Sequence, residues 1–179
     1  MRASSRVFSV AFLFLSSVAA AQSLSDEAIA SRILGPQWKL MARRAGVIFA
    51  GTVLPTRAQT VAVTEATRIA IPGAISAAEM RFRVGEAIAG VESGQILTVH
   101  EWAGASSRHR ALQPGEHILI FLYPPSRLGL TSPVGGQSGL IALDSTGKNL
   151  AATPSVESLY PANISVVQLE RAIRSARGK

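Results

Sequence analysis

The chain has 179 residues and no cysteine. That absence excludes disulfide staples, a lipidated N-terminal cysteine, thiolate zinc sites and a cysteine nucleophile. A domain without staples must stand on packing alone. Aromatic residues are few, at 6% of the chain, and most fall on apolar faces, which makes them core candidates. Carboxylates are thin as well. Beyond the first 21 residues the only aspartates are Asp26 and Asp144, and Glu79, Glu86, Glu92, Glu101 and Glu116 stand singly. None forms a pair set for acid–base work. No Lys/Arg block interleaves with aromatics, which argues against a nucleic-acid partner. Past the N-terminus no run of about 18 apolar residues exists, so no membrane-spanning helix is expected there.

What is present begins at the N-terminus. Arg2 and Arg6 give a positive start, and residues 7–18 form an apolar run broken only by Ser9, Ser16 and Ser17. Ala19-Ala20-Ala21 then leads into Gln22. This pattern reads as a secretory signal peptide cut after Ala21. At about 12 residues the run is too short to span a bilayer. The remainder is expected to be exported and soluble, in the periplasm or the medium. Taking residues 1–21 from 179 leaves 158, one domain's length. Such a domain buries roughly 70% of its extended surface. Losing Arg2 and Arg6 lowers the net charge from +7 to +5. The cations are scattered, and their densest group, Arg171, Arg174, Arg177 and Lys179, ends a predicted helix, where it complements the macrodipole.

Ser25 is placed to cap a helix, with Asp26 and Glu27 in its first turn and Leu24 stapled onto Ile29. Gly35-Pro36 ends it, and a second helical stretch covers residues 38–45. Residues 22–45 thus form a helical lead-in. Strand signals follow at 47–54, 60–71, 79–88, 96–102, 117–123, 139–143 and 149–153. Met80, Phe82 and Val84 alternate with Glu79, Arg81 and Arg83, and Gly85 breaks the alternation as a bulge would. The near-continuous apolar run from His117 fits a strand covered on both faces. Residues 103–110 and 128–139 read as loops. Ser165 and Gln168 form a capping box for a final helix near 165–177, with Val166, Leu169, Ile173 and Ala176 as its apolar stripe.

Three patches align in order. They are Ala45-Gly46-Val47-Ile48-Phe49-Ala50-Gly51-Thr52-Val53, then Phe82-Arg83-Val84-Gly85-Glu86-Ala87-Ile88-Ala89-Gly90, then Leu112-Gln113-Pro114-Gly115-Glu116-His117-Ile118-Leu119-Ile120-Phe121-Leu122. Together they resemble bacterial exported proteins related to the tissue-inhibitor-of-metalloproteinases/netrin-module group, over roughly residues 41–145. Gly46 stands where an acidic residue is common, and His117-Ile118 replaces the usual aromatic pattern. The resemblance implies a mainly β fold, a small OB-like Greek-key barrel of five to seven strands covering residues 46–179 with its C-terminal helix. The animal inhibitors chelate protease zinc through an N-terminal cysteine. That mechanism cannot operate in a cysteine-free chain.

Candidate chemistry is sparse. Gly136-Gln137-Ser138-Gly139 is one residue short of the G-x-S-x-G nucleophile elbow, and a triad of Ser138, a histidine and Asp144 would need tertiary geometry to form. His100, His109 and His117 lack the i,i+4 spacing of a zincin. On paper His100 and His117 meet across paired strands, with Glu101 or Glu116 as further zinc ligands. The plainer reading has His100 on a strand face, His109 solvated in its loop and His117 at a strand end. Glu86 reads as a bond to backbone beside the bulge. Trp102 ends a strand before a loop, so Trp102, Arg108, His109 and Arg110 make a candidate aromatic–basic binding rim. Asn163-Ile164-Ser165 matches a glycosylation acceptor, but Ser165 already serves as a cap.

The sequence therefore reads as an exported, non-enzymatic binding or inhibitor-like module. No cofactor and no metal are expected. Its partner is expected to be a protein, a secreted protease being the class the resemblance implies. The alternatives are a small hydrolase or metal enzyme using Ser138 or His100 and His117, and a binder of anionic polymer.

Overall fold

A computed structural model describes residues 25–56, 60–63, 75–106, 109–151 and 164–178. Helices α1 (Asp26–Leu34) and α2 (Trp38–Arg44) lead into strands β1 (Val47–Leu54), β2 (Thr60–Val63), β3 (Ile75–Ala89) and β4 (Ile96–Trp102). A single helical turn, α3 (Ala103–Ser106), follows β4. Then come β5 (His117–Leu122), a 3-10 turn at Gly136–Gly139, β6 (Leu140–Ala142) and helix α4 (Val166–Ala176).

The helix starts follow local chemistry. The Ser25 side chain accepts from the Ala28 N–H at the head of α1. At α4 the Ser165 and Gln168 side chains bond reciprocally to each other's backbone N–H, the full capping box. Arg171 of α4 forks onto Asp26 of α1 through Nε and Nη2, at 2.7 and 3.1 Å.

The strands form one antiparallel sheet in the order β2-β3-β1-β5-β6, with β4 also on β3. β3 is the spine. Its first half pairs with β2 and β4, and its second half with β1. Ala50 faces Glu86 while Gly51 faces Val84, so Gly85 is the extra residue of a bulge. A second irregularity passes over Ile88. Such extra residues bend and twist a strand, which lets β3 serve different neighbours along its length. Gly51 is required opposite the first bulge. A Cβ there would lie 2.5 Å from the Arg83 carbonyl oxygen.

Two apolar cores lie on the two faces of the sheet. On one face Ile48, Ala50, Leu119 and Phe121 meet Ile29 and Trp38 of the lead-in helices and Leu169 and Ile173 of α4. On the other, Phe49, Phe82, Val99, Ile118 and Ile120 pack together, with Phe49 and Phe82 edge-to-face at 5.6 Å. β5 is thus covered on both sides, as its unbroken apolar run predicts.

The fold is mainly β with helices at both ends of the described chain, but among the described residues the sheet is open, which departs from the closed barrel that the sequence predicts. Residues 149–151 form no strand, and residues 152–153 of the expected strand lie outside the described residues. Asn149 and Leu150 make only single bridges, to Ser165 and Leu143. Of the strand expected at 60–71, Thr60–Val63 is seen and the remainder lies outside the described residues, as do Leu24, Arg108 and Asn163. Residues 130–134 do not behave as a free loop. Thr131 N–H donates to the His100 carbonyl, Val134 N–H to that of Phe121, and Tyr123 N–H to that of Ser132. One short segment thereby touches both β4 and β5.

Candidate functional site

Strand alternation decides what β4 presents. Val99 and Glu101 point to the inner core face, while Ile96 and Trp102 are exposed. Glu101 is the only charged residue among the described ones that is fully buried. A carboxylate in such a place needs a cation or several donors.

His109 supplies it. Its Nε2 lies 2.7 Å from Glu101 Oε2, and the two side chains are only 4% and 1% exposed. Its Nδ1 lies 3.0 Å from the Arg110 carbonyl oxygen. A carbonyl only accepts, so Nδ1 carries a hydrogen. A hydrogen on Nε2 as well makes the ring an imidazolium, matched to the carboxylate. Burial alone pushes the imidazole down. The bond to the Arg110 carbonyl and the bond and charge of Glu101 outweigh burial, and His109 is held above its ordinary pKa. Both ring nitrogens are engaged, Nδ1 with the Arg110 carbonyl and Nε2 with Glu101.

The pair pins the returning loop to the end of β4. Further along, the Arg110 guanidinium donates to both Glu116 oxygens at 3.0 and 2.7 Å, and Arg110 N–H donates to the Gln137 side chain at 3.0 Å. Burial would raise the Glu116 carboxyl, but the bonds from Arg110 and the Gln113 backbone hold it below its ordinary value. Beside the pair is a cavity of about 270 Å³, lined by Glu79, Met80, Ser106, His109 and Leu112 among others.

Three of the four residues of the expected rim are described, and their surroundings differ. Trp102 is 53% exposed, at the root of the loop. Arg110 is exposed in its fork with Glu116. His109 turns inward, which corrects its reading as a solvated loop residue. Arg108 lies outside the described residues. Alternation along β4 already puts Glu101 on the same face as Val99. That inward carboxylate is the signal that a nearby cation had to be recruited.

The other histidines do not converge. His100 sits 3.5 Å from Glu79 on β3. His117 Nδ1 is hydrogen-bonded to Thr52 Oγ1 at 3.0 Å. β3 and β1 lie between β4 and β5 in the strand order, so the alternative in which His100 meets His117 finds no support there. Among the described residues no three His, Asp or Glu side chains gather as metal ligands.

The Ser138 triad does not assemble either. Asp144 Oδ1 accepts from Thr146 and from the Lys148 and Asn149 N–H groups, and Oδ2 accepts from Asn149 Nδ2. Its carboxylate is spent on its own turn. Ser138 opens instead onto a groove of about 410 Å³ between α2 and the segment before β6, whose lining holds no histidine and no carboxylate. Glu86 is exposed on β3.

Comparison with protein-family profiles, with curated proteins and with solved structures gives no match.

Proposed function

We propose that this chain is an exported, non-enzymatic binding or inhibitor-like module of the cell envelope, which holds a protein partner through loops at one end of its sheet. The observation that carries the reading is an exposed Trp102 at the root of a loop pinned by a dry ion pair. Trp102 rests the edge of its ring against Gly104 and leaves about half of its surface in water, open to a partner. Trp and Arg are the side chains that most often dominate protein interfaces. Rigid presentation lowers the ordering cost of binding. The Glu101–His109 pair and the Arg110–Glu116 fork supply that rigidity on either side of the loop. Export rests on the charged start, short apolar run and alanine exit of residues 1–21.

The OB-like reading of the fold belongs to the same proposal. Residues 130–134 reach both β4 and β5 through backbone hydrogen bonds and a parallel bridge from Leu130 to His100. That is where the last strand of a small barrel would run.

The test is affinity capture from the native host's envelope extract. The bait is the chain from Gln22, tagged after Lys179, at low and high salt, beside Trp102→Ala. One dominant protein kept by the wild type at both salts and lost by the variant supports the reading. Retention of nothing, or of polyanions alone that leave at high salt, overturns it.

A further inference from the structure

The groove that Ser138 lines shares no residue with the Trp102 loop. Its volume of about 410 Å³ falls within the ~300–1,000 Å³ of ordinary small-molecule sites. One wall is α2, where Gln37, Leu40, Met41 and Arg44 recur at helical spacing on one face. The other wall is Tyr123, Val134 and Ser138. Leu34, Met41 and Val134 make the apolar floor, all buried, while Leu40 at the lip is 44% exposed.

Among the described residues the side chains of Gln37, Arg44, Tyr123 and Ser138 make no hydrogen bond or ion pair. The contrast on α2 is sharp. Arg43 Nε donates to the Ala176 carbonyl, and Arg177 of the C-terminal segment donates to those of Ala42 and Ala45. Arg44 alone of these cations is left facing the groove. An apolar trough with one free cation and two hydroxyls at its rim complements an amphipathic anion.

We propose that this groove binds an aliphatic carboxylate, with the chain on Leu34, Leu40, Met41 and Val134 and the head group at Arg44. A peptide fits less well. An extended peptide would need free main chain to pair with, and the Val134 and Gly136 N–H groups already donate to Phe121 and Pro133.

Decanoate and uncharged decanol are the probes, titrated by calorimetry into the wild type, Arg44→Glu and Leu40→Glu. Both positions face solvent, so the variants keep the fold, which circular dichroism checks. Decanoate should bind the wild type at one saturable site, with amide shifts confined to residues 34–44, 123 and 134–138. Arg44→Glu should raise the decanoate Kd about tenfold or more and leave decanol within about twofold. Leu40→Glu should weaken both. Absence of saturable decanoate binding, shifts centred elsewhere, or a decanoate Kd indifferent to Arg44→Glu would overturn the proposal.

Discussion

Replacing His109 by alanine strands the Glu101 carboxylate at 1% exposure with no cation against it. Removing one partner of a buried pair costs about 3–5 kcal/mol, because the remaining charge is uncompensated. A folded domain is stable by only ~5–15 kcal/mol, so a large share of the total is at stake. At this chain length the thermal midpoint should fall by roughly 6–20 °C. The same pair carries a pH signature. His109 is held above its ordinary value, so its stabilisation is complete below the free imidazole pKa of ~6.5. It fades as pH rises through the raised folded value, because a neutral ring keeps only one of its two N–H donors. Arg110, next in sequence, opposes the protonated ring, and Glu101 favours it. Urea unfolding should therefore show the widest gap between wild type and His109→Ala near about pH 5.5, narrowing by about pH 9. Replacing both residues by leucine should recover most of the loss, since both buried charges go together. The reasoning fails if His109→Ala costs under about 1 kcal/mol, the level of an exposed ion pair. It fails equally if the gap is the same at both pH values.

Three further outcomes follow from the geometry. Gly51→Ala should destabilise by about 1–3 kcal/mol through its clash with the Arg83 carbonyl, while Gly85→Ala, whose nearest contact would be 3.4 Å, should cost under about 1 kcal/mol; chemical denaturation of the pair checks both. Ser165→Ala should lower stability by about 1 kcal/mol through loss of the α4 capping box, read from the urea midpoint at unchanged slope. The Asp144 carboxyl is held far below the carboxylate range, first by the side chains of Thr146 and Asn149. Its stabilisation is present above the unfolded value of about 4 and is lost as pH falls through the lower folded value, so Asp144→Asn should flatten the acid limb of the stability curve.

Much of the local structure was legible in the residues. Ser25 and the Ser165–Gln168 box mark helix starts because capping is settled within one turn of chain. β1 and β4 fall at the expected residues, since a period of two needs no knowledge of the neighbour. Gly85 announces the bulge because alternation fails there, and β5 announces its double burial because its apolar run has no polar face. The site was far less legible. Glu101 and His109 are eight residues apart across a turn, and nothing local tells whether a loop histidine faces water or a buried carboxylate. His100 and His117 looked able to meet, yet strand order set two strands between them.

The sequence by itself determined the secondary-structure grammar, the two-sided burial of β5 and the exclusion of all thiol chemistry. These depend on residue type and on neighbours a few positions away. Only the tertiary structure decided that the sheet stays open and that residues 130–134 touch two strands at once. It alone took His109 out of water and left Arg44 lining the groove beside α2 while Arg43 and Arg177 found carbonyls. Those outcomes turn on which distant segments pack together, and burial and charge pairing are properties of the packed whole.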